Sequence, residues 1–318
     1  MDAFRERLLS FGNPWVLELI STQLTMIDKK PLDRSYVDLL EALVDPERLA
    51  RAFRRTSKAV YHRVLTRHYG PKPVLFIVGC QRSGTTLLTR ILDRDFRTSV
   101  YPEQSVLSSR DTDRRLRLNP VEEVAATIER NPASVVVLKP LVESQNIPEL
   151  LDYFEGSRAV WLYRDFHDVA ASYVHRWGRI SVNDLRAIVE ARSGNWRYEK
   201  VPAQTREFVV RYFTDDMDPH DASAIFWYVR NSFVPELGFM IDDRISLCRY
   251  QDLVTKPDDE VIKIYQLLGV EAPNHRITGE VHAESLRKGS HVALRPEIEE
   301  ACQGLLKTLN KLALGQSI

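Results

Sequence analysis

"VLFIVGCQRSGTTLL", residues 74–88, decides how the rest of the chain is read. Five apolar, β-favouring residues run into Gly79, and Gly84 follows at the G-x-x-x-x-G spacing of a phosphate-binding loop. The same spacing also occurs in plain strand-to-helix turns. Consecutive backbone N–H groups in such a turn form a concave anion nest. A helix starting near Thr85 adds its positive N-terminal end. Glycine at position 84 lets the backbone approach a ligand without an intervening Cβ. Ser83, Thr85 and Thr86 add hydroxyl donors, and Arg82 adds a cation. The lysine of a nucleotide-hydrolysing loop is missing: Thr85 and Thr86 stand where Lys and Ser/Thr would be. The loop therefore suits a phosphate that is kept better than a γ-phosphate that is transferred.

Outward from this stretch, short apolar runs alternate with helical patterns. The runs are VLFIV (74–78), TSVY (98–101), SVVVL (134–138), AVWLY (159–163) and ISLC (245–248). This alternation predicts an α/β fold, a parallel β-sheet flanked by helices. Ligands of such sheets bind beyond the carboxyl ends of the strands. There the sequence places the glycine loop, Glu103, Lys139, Arg164-Asp165 and Arg249-Tyr250. Together they predict an active-site rim.

Before residue 74 the pattern is helical. Leu17, Ile20, Leu24 and Ile27 share one helix face, and Asp45-Pro46 reads as a helix start. Leu49, Phe53, Val60 and Val64 form a later stripe, opposite a basic face of Arg51, Arg54, Arg55 and Lys58. "GPKP" at 70–73 breaks the helix. We expect a helical N-terminal extension, 1–70, packed on an α/β domain, 71–318.

The 318 residues carry 44 Lys+Arg and 44 Asp+Glu, so no global charge draws the chain to nucleic acid or membrane. An anion must be held by a local cluster. No run is long and apolar enough for a membrane span, and the N-terminus lacks a secretory pattern. Cys80, Cys248 and Cys302 read as small buried hydrophobes in a reducing compartment, and the protein as cytoplasmic.

The loop RSGTTLL after a β-run resembles the 5′-phosphosulfate loop of sulfotransferases that use 3′-phosphoadenosine 5′-phosphosulfate (PAPS). A second motif, "YRDFHDVAASYVHR" (163–176), resembles that family's 3′-phosphate segment, with Arg164 and Ser172 at its gripping positions. Asp168, Ser172 and Arg176 also fall on one helix face. Phe166-His167 departs from the family's usual Pro-Arg. "CRYQDLVTKP" (248–257) resembles a strand-to-helix segment that brings Tyr250 near the donor, with Gln251 in place of Glu. "LRKGSH" (286–291) resembles the segment closing over the 3′-phosphate, through Arg287, Lys288 and Gly289. These matches span 74 to about 291.

The resemblance implies PAPS as co-substrate, adenosine 3′,5′-bisphosphate as product and no metal. Glu103 matches the glutamate base of the tyrosylprotein branch. His167 and His175 are fallback bases, His175 being expected on the helix away from the sulfur. Arg82 and Lys139 are the expected cations for the transferred group. The acceptor is a small molecule or glycan, its hydroxyl on a carbohydrate, lipid, phenol or peptide. Segments 104–118 and 178–222 are expected to select it; Trp227 and Tyr228 read either as stacking aromatics or as core. Two alternatives stay open: a P-loop kinase, with Asp165 as the tempting Mg²⁺ ligand, and a non-catalytic nucleotide-bisphosphate binder.

Overall fold

The structure, a computed structural model, describes residues 58, 61, 72–109, 116–279, 281, 289 and 291–315. By its contacts the chain divides into two compact units, Met1–Leu65 and Thr66–Ile318. The helices expected over 1–70 lie outside the described residues, apart from Lys58 and Tyr61. Lys58, assigned above to a basic outer face, is buried.

Five strands form one parallel sheet: β1 (Val74–Gly79), β2 (Thr98–Tyr101), β3 (Val135–Leu138), β4 (Arg158–Tyr163) and β5 (Ile245–Arg249), in the order β2-β3-β1-β4-β5. Every residue of β1 is buried. A strand covered on both faces has no polar side to show, which is why VLFIV is apolar throughout. Its alternate residues enter two different cores. Val74, Phe76 and Val78 pack with α4 (Phe166–Trp177), α7 (Pro219–Glu236) and α10 (Pro296–Gly315). Leu75 and Ile77 pack with α1 (Thr85–Leu92) and α9 (Pro257–Leu267). The remaining helices are α2 (Val121–Arg130), α3 (Ile147–Tyr153), α5 (Ile180–Val189), α6 (Ala203–Tyr212) and α8 (Tyr250–Thr255).

The connection from β1 leads to β2 on one side of the sheet, and that from β4 leads to β5 on the other. The carboxyl ends of these adjacent strands thus flank a topological switch point, where the departing chains leave a crevice. The glycine loop hangs from one lip and Arg164 from the other. Cys80, Cys248 and Cys302 are free and buried. Burial pushes the Cys80 thiol up to about 12, so it is inert at neutral pH. Among the described residues no helix is long and apolar enough to cross a membrane.

Gly79 closes the β1–β4 pairing at φ 124°, and a Cβ there would sit 2.2 Å from the Leu162 carbonyl oxygen. Backbone cannot yield as a side chain can. Gly79→Ala is therefore expected to lose at least about 2 kcal/mol of stability, read as a lower urea midpoint at unchanged slope.

Candidate active site

The loop between β1 and α1 holds three residues at positive φ, Gly79, Arg82 and Gly84. Gly84 caps α1 at φ 97°, with no side chain accepting from the first turn. Arg82 also has a positive φ, 68°, rare for a residue with a Cβ. Ser83 is fully buried, and its hydroxyl has no partner. The loop is anchored from behind by Ser144, whose Oγ accepts from the Gly79 N–H at 3.1 Å and donates to the Leu141 carbonyl at 2.7 Å. Ser144 lies in the 3₁₀ turn Leu141–Asn146 after β3. Spacing gave no signal for it, because the contact joins residues 65 positions apart.

A cavity of about 590 Å³ opens over the loop. Its walls include Arg82, Thr86, Arg164, Ser172 and Tyr250, brought together from three separate motifs. Arg82 donates from Nε to Ser172 Oγ at 3.0 Å, and its guanidinium lies 5.5 Å from the centre of the Trp177 ring. Burial, followed by the charges of Arg176 and Arg164, holds the Arg82 pKa below its usual value. Three guanidiniums that repel one another are a standing site for an anion.

Arg164 is nearly buried and lies 4.4 Å from the centre of the Tyr250 ring. It pairs with Asp168 at 3.0 Å. The other Asp168 oxygen accepts the Gly289 N–H at 2.8 Å. One buried carboxylate thus ties the strand-end arginine to the late glycine. Gly289 is needed for that approach, since a Cβ would come within 2.2 Å of the His167 carbonyl carbon. Arg287 and Lys288 lie outside the described residues. The sequence placed Asp168 on the right helix face but assigned it no partner.

At the other side of the loop, Lys139 extends from the end of β3. Its ammonium donates to Thr86 Oγ1 at 3.1 Å and pairs with Glu103 Oε2 at 3.3 Å. The neighbouring strand thus brings a cation to the edge of the loop. Burial pushes the Glu103 carboxyl above its usual range, while Lys139 and then Arg230 pull it back. A carboxylate raised in this way is better matched to proton abstraction near neutrality.

Other expectations are redistributed. Asp165, the tempting metal ligand, caps α4 by accepting the His167 N–H at 2.9 Å. His167 is held between Asp165 at 3.4 Å and Glu299 at 3.1 Å, beside a second cavity of about 670 Å³. His175, expected to face away, lines the loop cavity. Arg176 is exposed and acts on Arg82 through its charge. Trp227 is core: it is fully buried and donates to the Arg164 carbonyl at 2.9 Å. Tyr228 packs on Phe208 with ring centres 4.7 Å apart.

Asp168→Ala removes both contacts and leaves Arg164 buried without this carboxylate. A loss of about 3 kcal/mol is expected in urea unfolding, because removing one member of a buried ion pair is strongly destabilising. Asp168→Asn should lose less, keeping the acceptor for Gly289.

A family model described as "Sulfotransferase domain" matches residues 72–294. No curated protein matches the sequence. Among solved structures, the sulfotransferase domain of the Synechococcus PCC 7002 olefin synthase is similar at 16% identity, over 76% of this chain and 96% of that one, with a TM-score of 0.45. Mouse sulfotransferase SULT7A1, solved in complex with PAP, is similar at 12% identity over 76% and 86%, with a TM-score of 0.42. Sulfotransferase STF9 from Mycobacterium avium is similar at 14% identity over 77% of its length and 76% of this chain, with a TM-score of 0.41.

Proposed function

The chain belongs to the sulfotransferase domain family, and from that premise we propose that it transfers the sulfuryl group of PAPS to an acceptor hydroxyl, with Glu103 as base. The observation that carries this reading is Lys139, whose ammonium links the phosphate loop at Thr86 to the Glu103 carboxylate. A kinase would use its lysine on a γ-phosphate. Here the cation is shared with a carboxylate placed to take a proton.

The residues present fit the donor. The Ser83 hydroxyl is buried without a partner, Gly84 leaves the helix start uncapped, and Arg82, Arg164 and Arg176 form a self-repelling cluster. In this reading Ser83, Gly84, Thr85 and Thr86 hold the 5′ end. Arg164 and Ser172 hold the 3′-phosphate with Arg176, and Tyr250 borders the nucleoside. Arg287, Lys288 and Gly289 close over it. When bound, the donor supplies an activated sulfuryl group on a phosphate leaving group. The protein's own task is then electrostatic and positional. Glu103 Oε2 accepts the acceptor's proton, Lys139 Nζ neutralises charge beside the loop, and Arg82 does so from the opposite wall.

The acceptor is a small molecule, bearing its hydroxyl on a carbohydrate, lipid, phenol or peptide scaffold. Segments 104–118 and 178–222 shape its selection. Residues 71–318 are the catalytic domain, and 1–70 an extension to it. Three free, buried cysteines suit a cytoplasmic setting.

Calorimetric titration with adenosine 3′,5′-bisphosphate, beside Mg²⁺·ATP, tests donor recognition. Micromolar bisphosphate binding that weakens in Arg164→Ala is expected; tight Mg²⁺·ATP binding with no bisphosphate response would sink the reading. Glu103→Gln is expected to lower turnover by at least about 100-fold while bisphosphate affinity holds.

The base works only when deprotonated, and its pKa is raised. The acidic limb of kcat should therefore lie above the ordinary carboxylate range. Lys139 stabilises the charged form, so Lys139→Met should move that limb still higher. A limb at the ordinary position, or one moving down in Lys139→Met, counts against Glu103.

A further inference from the structure

Arg230 lies in the middle of α7 and is completely buried. Long charged side chains are almost never fully buried unless paired. Yet among the described residues this guanidinium has no ion-pair partner. Its bonds go to neutral groups: Nη1 to Gln145 Oε1 at 3.1 Å and Nη2 to the Leu141 carbonyl at 2.8 Å. Nε has no acceptor. The guanidinium carbon lies 5.2 Å from the ring centre of Trp196 and 5.1 Å from that of Phe233. Glu143, on the same 3₁₀ turn, is occupied elsewhere. It accepts from Arg117 Nε at 3.0 Å, from the Leu118 N–H at 3.1 Å and from Asn146 at 3.0 Å.

The two acceptors of Arg230 place it at the reaction centre's support. Leu141 follows Lys139-Pro140, and Gln145 adjoins Ser144, the residue that holds Gly79 at the start of the phosphate loop. We propose that Arg230 is a positioning residue for sulfuryl transfer: it braces the turn behind Lys139 and the loop, and its unpaired charge supplies positive potential at the Glu103 carboxylate. The inference rests on the reading of Glu103 as the base.

Charge and burial agree with this role. Burial lowers the Arg230 pKa to about 10, so the side chain stays protonated at neutral pH. The groups around it are Cys80 on the loop, Glu143 on the turn, Tyr173 on α4 and Arg197 after α5. Cys80 and Tyr173 have pKa values raised by burial and are neutral, so neither balances the charge. Glu103 pairs with Lys139 and feels the charge of Arg230 at longer range; both favour the ionised carboxylate that burial opposes. A structural brace alone needs only donors. A buried charge without a salt bridge among the described residues can also act through its field.

The test compares the pH profiles of kcat in Arg230→Met and Arg230→Lys with that of the parent, each variant first checked for folding by its thermal transition. Arg230→Met is expected to fold, with its acidic limb moved up by about half a pH unit or more. Arg230→Lys should return the limb toward the parent position. The inference is overturned if Arg230→Met fails to fold, which makes Arg230 a structural brace and nothing more. It is equally overturned if activity falls uniformly with no shift of the limb. Glu103→Gln separates the two readings. If that variant keeps its turnover, the base assignment itself fails, and this inference with it. If it is inactive while the limb in Arg230→Met stays fixed, only the role of Arg230 is lost.

Discussion

A nearly buried ammonium shared between a hydroxyl and a carboxylate organises the site. Lys139 reaches Thr86 at the start of α1 and Glu103 after β2, so it fastens three consecutive strand ends of the sheet to one another. Removing a lysine from water is costly unless its donors are used. Here two of its three N–H groups have partners, and the site gains a cation without placing it in the loop. That arrangement is possible because β3 lies next to β1, with Phe76 in register with Leu138. The sheet order therefore decides which strand end brings a cation to the loop.

On the other lip of the crevice the problem is reversed, with too much positive charge in a small space. Burial of Arg82, and then the charges of Arg176 and Arg164, oppose its protonation. Among the described residues the fold sets the Asp168 carboxylate against Arg164, and aromatic faces beside the guanidiniums: Tyr250 over Arg164 and Trp177 beside Arg82. Rings can lie against a guanidinium without neutralising it. The cluster thus keeps a surplus of charge while its side chains are held in place. Gly84 contributes sterically, since a Cβ there would meet the Tyr250 ring at 2.2 Å and push it off Arg164.

The strand runs and the loop were legible in the sequence because each rests on a local pattern. VLFIV had to be a strand covered on both faces, and glycine at 79 and 84 marked the turn. The rim residues were legible one step further on, since a parallel sheet sends every strand end to the same edge. The partners were not legible. Ser144 under Gly79, Asp168 under Gly289 and Gln145 under Arg230 are contacts between residues 65, 121 and 85 positions apart. Single-chain spacing carries no signal for such pairs. Asp165, a tempting Mg²⁺ ligand only under the kinase alternative, serves instead as the cap of the helix beginning at Phe166. Trp227, for which stacking and core were both open, is core. A helix packed along the sheet spends its large residues on the core, and its indole N–H found the Arg164 carbonyl.

Among the described residues, five buried side-chain polar atoms lack a partner, and their placement is uneven. Two, Gln81 Oε1 and Ser83 Oγ, lie in the phosphate loop, and Arg230 Nε lies behind the turn that holds it. Buried polar groups elsewhere in a fold are almost always satisfied, since leaving one bare costs roughly 1–3 kcal/mol. The positive φ of Arg82 adds backbone strain in the same stretch. Selection for stability alone would remove such features, for instance by replacing Ser83 with alanine. Their concentration here fits a loop shaped for a bound anion rather than for its own resting state. An anion entering the loop would meet donors already aimed and desolvated, so little reorganisation is left to oppose binding. Arg230 shows the same feature one layer further back: among the described residues it has no ion-pair partner, and its Nε has no acceptor.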